Sequence, residues 1–263
     1  MGKTRLDQQL VNLSLFESRA RAAAAIKAGL VRVNGAVIVK AASGVSPEDV
    51  IEAQAEHGFV SRGGLKLDKA LAHFGYPLAD GVFADIGAST GGFSDVLLKG
   101  GAAFIYAIDV GHDQLHASLV DDARVQNMAG LNARHVTAAH FDRPLMGLVC
   151  DVSFIGQEKA LAALLPLMPI GGWAIALIKP QFEVGKAALG KNGVVSDAAL
   201  RQEVCDKLAA WWQAQGWQVD GVIESPITGP QGNVEFLIGA RKSAWAKRKS
   251  PPHPKMRRAP PKL

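Results

Sequence analysis

Four charged side chains stand where a folded chain could gather them for proton chemistry. Lys66 opens the apolar segment LKLDKALAHF, Asp151 ends the run LVCD, Lys179 ends WAIALIK, and Glu235 lies in the late segment NVEFLIG. One charge at a strand end is ordinarily just solvated. A lysine held between two carboxylates is different, because its amine is oriented and can polarise or deprotonate a hydroxyl. Lys179 is expected in that place, with Asp151 and Glu235 steering the two lysines and Lys66 completing the network.

A second constellation is the stretch DIGASTGGFS, residues 85–94. It lacks the Gly-Lys-Ser/Thr of a phosphate loop and the G-x-G-x-x-G spacing of a dinucleotide fingerprint. It reads as a strand ending at Asp85, a loop containing Gly87, Ser89, Gly91 and Gly92, and a helix opened by Phe93. The glycines are expected to let a ligand approach the backbone, and the free N–H groups of the helix N-terminus to meet a carboxylate. The next apolar run, FIYAID, ends in Asp109, where an acid can bind ribose hydroxyls. Loop and acid suit either a dinucleotide or S-adenosylmethionine. The order D-x-G-x-x-x-G-G-F resembles the methyltransferase version more than the dehydrogenase one.

The elements that must position these residues alternate. Strands are expected at 82–86, 104–109, 148–151, 173–179, 218–224 and 234–240. Helices are expected at about 65–74, 91–99, 112–119, 156–168 and 197–215. Alternation of this kind predicts an α/β fold, a parallel sheet wrapped by helices on both faces. The last two strands have no helix between them, so one of them is expected to run antiparallel. The first 55 residues have another texture. Helices are expected at about 5–12 and 16–28, with Ser14 as a cap and Gly29 at the C-terminal end. Asn34-Gly35 between VRV and AVIV then predicts a type I′ hairpin. This is a small α+β module.

Charge is unevenly placed. The net charge is +5, yet residues 241–263 hold nine Lys/Arg and no acid, and the remainder holds 20 basic against 24 acidic residues. Residues 1–45 carry seven Lys/Arg against Asp7 and Glu17. Basic ends around an acidic middle point to a polyanionic partner, since phosphate neutralisation drives sequence-independent binding to nucleic acid. The prolines of the basic tail predict disorder. Two cysteines, Cys150 and Cys205, are too few for a disulfide framework or a cysteine zinc site, and no metal is expected. The N-terminus MGKTRLDQQL shows no signal peptide, so a cytosolic protein is expected. Residues 160–178 carry no charge, but Pro166, Pro169, Gly171 and Gly172 divide them into helix, turn and strand rather than a membrane span.

Two resemblances organise these readings. Arg5, Leu6, Asp7, Ser18, Arg19, Ile26, Gly29, Val33, Asn34 and Gly35 fall on the pattern of the RNA-binding module named for ribosomal protein S-four. The resemblance implies a basic helical face carrying Arg19, Arg21 and Lys27, with Arg5 and Arg62 completing the RNA-contacting set. Lys66, Asp151, Lys179 and Glu235, in that order, resemble the Lys-Asp-Lys-Glu tetrad of FtsJ-like ribose 2′-O-methyltransferases. The position after the fourth strand reads D-V-S-F, without the proline pair expected of an enzyme that methylates base nitrogens. The whole order, with SRGGLKL, DIGASTGGF, DVSFI, IKPQFE and GNVEF, resembles the TlyA family over about residues 3–240. That resemblance implies a Rossmann-like methyltransferase sheet, S-adenosylmethionine as donor, and cytidine ribose in ribosomal RNA, within ribosomal subunits, as acceptor. It also implies a role for residues 55–62 in cofactor binding, and Asn132 of GLNARHV near the adenosine. The expected divisions are 1–59 for RNA binding, 60–241 for methyl transfer and 242–263 for the tail. Two other readings compete: an inactive RNA-binding assembly factor, and a membrane-lytic haemolysin, as an older name of the family suggests.

Overall fold

The computed structural model describes residues 3–13, 15, 16, 18–53, 58–185, 188–229 and 231–244. The cap expected at Ser14, residues 55–57 and the tail from 245 lie outside the described residues. The chain divides into two compact units, Met1–Gly58 and Phe59–Leu263.

In the first unit, β1 (Thr4–Arg5) and α1 (Leu6–Asn12) are followed by α2 (Arg19–Lys27), β2 (Val31–Val33), β3 (Ala36–Val37), β4 (Gly44–Val45) and β5 (Ile51–Ala53). The two helices bury Leu6, Leu10, Ala22, Ala25 and Ile26 against Val31 and Val45. The second helix starts later than the sequence reading placed it. Ser18 is its cap, its Oγ accepting from the Arg21 N–H at 3.3 Å. Its end is a Schellman turn: Gly29, at φ +74°, donates to the Ile26 carbonyl, and Leu30 donates to that of Ala25. Asn34 and Gly35 both take positive φ, 52° and 80°, and Val33 pairs with Ala36. This is the I′ geometry those residues favour.

The second unit is a seven-stranded sheet in the order β11-β12-β10-β9-β6-β7-β8. Its elements are α3 (Gly63–Phe74), β6 (Val82–Ile86), α4 (Gly92–Lys99), β7 (Phe104–Asp109), α5 (Ala117–Val120), β8 (Val125–Ala129), β9 (Gly147–Cys150), α6 (Gln157–Leu161), β10 (Trp173–Ile178), α7 (Pro180–Glu183), α8 (Ala198–Ala214), β11 (Trp217–Glu224) and β12 (Phe236–Lys242). Strands β6 to β10 run parallel, and β12 lies antiparallel to both β10 and β11. Both faces of the sheet are covered. Along β10, Trp173, Ile175 and Leu177 enter the core with α3 and α4, while Ala174, Ala176 and Ile178 enter the core with α6 and α8. A strand buried on both sides reads as a continuous apolar run, which is why WAIALI is legible.

Three expectations needed correction. The strand Val125–Ala129 was not among the expected strands; it pairs with β7 at the sheet edge and leaves Gln126, Asn127 and Ala129 exposed. The helix expected at 112–119 shrinks to Ala117–Val120, because Asp109 takes the Gly111 N–H and Asp113 turns left-handed at φ +53°. The helix expected at 156–168 stops at Leu161 and resumes only as a 3-10 turn at Leu165–Leu167. Pro166 lacks the N–H that a continuing helix needs there.

Candidate active site

The first and fourth parallel strands, β6 and β9, are neighbours in the sheet. After β6 the chain turns to α4 on one face, and after β9 to α6 on the other. The connections diverge, and a crevice opens outside the carboxyl ends of the strands. Two adjoining cavities of about 330 and 900 Å³ lie there, and both are bordered by Gly87, Ser89, Asp151 and Ser153.

The four charged residues meet at the smaller cavity. Lys66 sits in the first turn of α3, Asp151 just beyond β9, Lys179 just beyond β10, and Glu235 just before β12. Lys66 Nζ is 2.7 Å from Glu235 and 3.4 Å from Asp151, and Lys179 Nζ is 2.6 Å from Asp151. Both lysines and Glu235 are buried. The arrangement differs from the expectation in one respect: Lys66, not Lys179, lies between the two carboxylates. Lys179 faces one carboxylate and donates to the Ser153 hydroxyl at 2.8 Å, with its ammonium 5.9 Å from the Phe182 ring. With side chains this buried an unpaired charge would be costly, and the mutual pairing of two acids and two amines offsets part of that cost.

The glycine loop works differently from the expectation. A Cβ on Gly87 would lie 2.6 Å from the Asp151 carbonyl oxygen, one on Gly91 2.2 Å from Leu119, and one on Gly92 2.2 Å from Ser61 Oγ. Each glycine admits a neighbouring part of the protein, and Gly87 and Gly91 also need their positive φ of 80° and 92°. Gly87 and Gly92 border the cavities; Gly91 borders neither. Ser89, at φ +48°, donates its backbone N–H to Asp109 at 2.8 Å. Phe93 is a core residue that also borders the smaller cavity.

Asp85 is fully buried and borders neither cavity. It accepts from Ser94 Oγ at 2.7 Å, and its other oxygen has no hydrogen-bond partner. Burial pushes its carboxyl up to about 7, which the Ser94 hydrogen bond opposes and the nearby Asp151 and Asp109 charges reinforce. It is therefore a support beneath the loop rather than a surface for a ligand. Asp109 is half-buried in the larger cavity and also accepts from the Gly111 N–H at 2.8 Å. Asn132 borders the same cavity, its Oδ1 accepting from the Arg134 N–H at 3.1 Å. Cys150 is buried within β9, its thiol pushed up to about 12 by desolvation, and it offers no nucleophile.

Arg62 is exposed at the rim of the smaller cavity. In the first unit, Arg5 and Arg19 both donate to Asp7, at 2.9 and 3.0 Å, and keep about half their side chains in solvent. The two guanidiniums hold the Asp7 carboxyl well below the usual range. Arg19, Arg21 and Lys27 do not share one face. At about 100° per residue, Arg21 lies roughly 160° round the helix from Arg19, so the two border the buried stripe on opposite sides.

Ser61, within the stretch 55–62 expected to serve the cofactor, borders the smaller cavity. Sequence reading missed several other residues of the crevice: Ser153, Phe154, Phe182, Thr228 and Gly229. Phe154 carries a signal visible only in the fold. It takes φ +64°, is 90% exposed, and meets Phe182 at 5.2 Å between ring centres. Among the described residues no helix is long and apolar enough to cross a membrane.

Comparison with known proteins fits this geometry. The pattern of the FtsJ-like methyltransferase family matches residues 59–242, and that of the S4 domain matches residues 4–51. The chain is 41% identical over 241 residues to the 16S/23S rRNA (cytidine-2′-O)-methyltransferase TlyA of Mycobacterium tuberculosis, covering 91% of this chain and 90% of that protein. It is 37% identical to Hemolysin A of Brachyspira hyodysenteriae, over 89% of this chain and 98% of that one. A solved structure from Streptococcus thermophilus that bears the hemolysin name superposes with a TM-score of 0.72 at 40% identity, covering 93% of this chain and 90% of that one.

Proposed function

The chain belongs to the FtsJ-like methyltransferase family, and from that premise we propose that it moves a methyl group from S-adenosylmethionine to the 2′-hydroxyl of a cytidine in ribosomal RNA, presented in ribosomal subunits. The observation that carries this reading is the paired Lys66–Asp151–Lys179–Glu235 network at a cavity that adjoins a larger one. Such a network suits a hydroxyl acceptor, which must be oriented and relieved of a proton. It offers a base nitrogen no proline pair after Asp151, where the chain reads Asp-Val-Ser-Phe. The matched relatives of the same length support the choice of RNA.

The larger cavity fits the cofactor by its donor set. Asp109 offers carboxylate oxygens to a ribose diol, and Asn132 spends its Oδ1 on Arg134, which leaves its amide N–H groups for a base. Ser89 and Gly87 present backbone where the two cavities join. S-adenosylmethionine, when bound, supplies a methyl already activated on sulfonium. The protein's task is therefore alignment of oxygen, carbon and sulfur, together with relief of the charge developing on oxygen.

The asymmetry of the network assigns the work. Lys66 is enclosed by the two carboxylates, at 2.7 Å from Glu235 and 3.4 Å from Asp151, and acts as the fixed counter-charge between them. Lys179 faces one carboxylate and a neutral hydroxyl, so it is the amine offered to the 2′-hydroxyl proton. Asp151 touches both lysines and fixes their separation. Arg62, at the rim, is placed for a backbone phosphate of the acceptor strand. In the first unit, Arg5 and Arg19, pre-oriented by Asp7, and exposed Lys27 are the groups offered to RNA phosphates.

Transfer of labelled methyl to ribosomal subunits lacking native modification, followed by separation of the nucleosides, tests the reading. Label in 2′-O-methylcytidine is the expected result. Label in a base, or no transfer despite cofactor and ribosome binding, would overturn it.

A further inference from the structure

Ser153 lies at the junction of the two cavities and borders both. Its position follows from the turn after β9. Asp151 follows the strand directly, Val152 is half-buried against the core that holds α6 and α8, and Phe154 turns left-handed at φ +64°. A β-carbon in that conformation is strained, and strain of this kind persists where the surroundings fix the backbone. The turn leaves Ser153 exposed in the crevice with its Oγ 2.8 Å from Lys179 Nζ.

The polarity of this hydrogen bond is informative. Lys179 donates to Ser153 Oγ at 2.8 Å and meets Asp151 at 2.6 Å. A neutral amine has the two N–H groups for both contacts and keeps its lone pair free, so Ser153 Oγ accepts. The serine's own proton is therefore directed elsewhere. Among the described residues its side chain has no other partner. The remaining direction is the crevice, at the boundary between the space beside Asp109 and the space beside the tetrad.

We propose that the Ser153 hydroxyl, oriented by Lys179, donates a hydrogen bond to the acceptor ribose oxygen as that oxygen becomes negative. The inference rests on the ribose-methylation reading above. In the step, the 2′-hydroxyl proton passes to the Lys179 amine. The oxygen forms its bond to the methyl carbon as the carbon–sulfur bond breaks, and the sulfonium becomes a thioether. Ser153 keeps its own proton throughout. As Lys179 gains charge, its N–H polarises the serine O–H, so the donor strengthens when the oxygen needs it. A donor aimed at a developing oxyanion acts on the rate of the chemical step and not on ground-state binding.

The test uses the full-length protein, ribosomal subunits lacking the modification, and three forms: wild type, Ser153→Ala and Ser153→Thr. Single-turnover methyl transfer is measured beside affinity for S-adenosylhomocysteine and for the subunits. For Ser153→Ala the expected result is a fall of about 10- to 100-fold in the single-turnover rate, with both affinities within about twofold of wild type. Ser153→Thr keeps the hydroxyl and is expected to recover the rate to within about threefold. A Ser153→Ala rate within about twofold of wild type would overturn the proposal, as would a loss confined to either affinity or a Thr variant no faster than Ala. Wild-type label appearing on a base would instead overturn the ribose reading, and the Ser153 role with it.

Discussion

Each unit of this protein holds one poorly exposed aspartate between two cations, and the two clusters are built for different work. In the first unit Asp7 clamps Arg5 and Arg19, whose side chains stay about half in solvent. In the second, Asp151 touches Lys66 and Lys179, whose side chains are 10% exposed. Arginine stays charged at every relevant pH and presents a planar fork of donors, whereas lysine carries a compact charge that it can surrender when buried. The arginine cluster thus keeps fixed charge at the surface, where a polyanion can meet it. On the proposed reading the lysine cluster holds the proton acceptor, with side chains largely shielded from solvent. The cation's type and its burial, rather than the count of charges, separate a binding site from a reacting one.

The largest expected effect breaks the lysine side of the comparison. Lys179→Ala should lower methyl transfer by about 10³-fold or more while leaving S-adenosylhomocysteine affinity near wild type. Transfer at the wild-type rate would mean that the hydroxyl proton goes elsewhere. Asp85 sharpens the comparison by its pH dependence. Its carboxyl is raised to about 7 by burial, so between about 4 and 7 the native state keeps a proton that the unfolded chain has released. Folding stability should therefore fall as pH rises through that window. Asp85→Asn should be free of this loss, gaining about 2–4 kcal/mol on wild type between pH 4 and 8 in denaturant titrations. Asp7 has the opposite sign: its carboxyl is held low by Arg5 and Arg19, so its contribution is present at neutral pH and fades in acid. A flat difference between the two Asp85 forms would show that the buried carboxyl stays ionised.

The arginine side is tested by a smaller effect. Arg5→Ala with Arg19→Ala should weaken RNA binding by about tenfold at low salt, with a shallower salt dependence. The two forms should converge as salt rises, and a salt-independent loss would assign the arginines to folding alone. The smallest effect separates stability from chemistry. Asp197 caps α8 by accepting from the Ala199 and Leu200 N–H groups, and Asp197→Ala should cost about 1 kcal/mol of stability with no change in transfer rate.

Particular elements show how far the sequence could be read. The strands Val82–Ile86 and Phe104–Asp109 match their expected ends, because nearly all of their residues are buried and they read as short apolar runs. The edge strand Val125–Ala129 carries no such signal, since a strand with solvent along one side keeps polar residues and is held by pairing with β7. The length of α5 was overestimated because Asp113 turns left-handed at φ +53°, which a helix cannot run through. The glycines of 87–92 were read as room for a ligand, but what fills that room is Asp151, Leu119 and Ser61, neighbours distant or non-adjacent in the chain. The four tetrad residues were nameable from type and order, and Ser153, a neutral residue in a short turn, was not.

The sequence by itself determined the materials: which segments alternate, where the acids and amines stand at strand ends, and that Asn34-Gly35 reverses the chain. Those are local matters of periodicity, turn chemistry and residue type. Only the tertiary structure decided the pairing. The register that sets Ile178 opposite Phe236 and Cys150 opposite Ile86 brings Lys179, Glu235, Asp151 and Gly87 to one edge of the sheet, and α3 then inserts Lys66 between the carboxylates. Which lysine is enclosed and which is left to meet a hydroxyl depends on contacts between residues as distant in the chain as Lys66 and Glu235, and no local pattern of sequence carries that information.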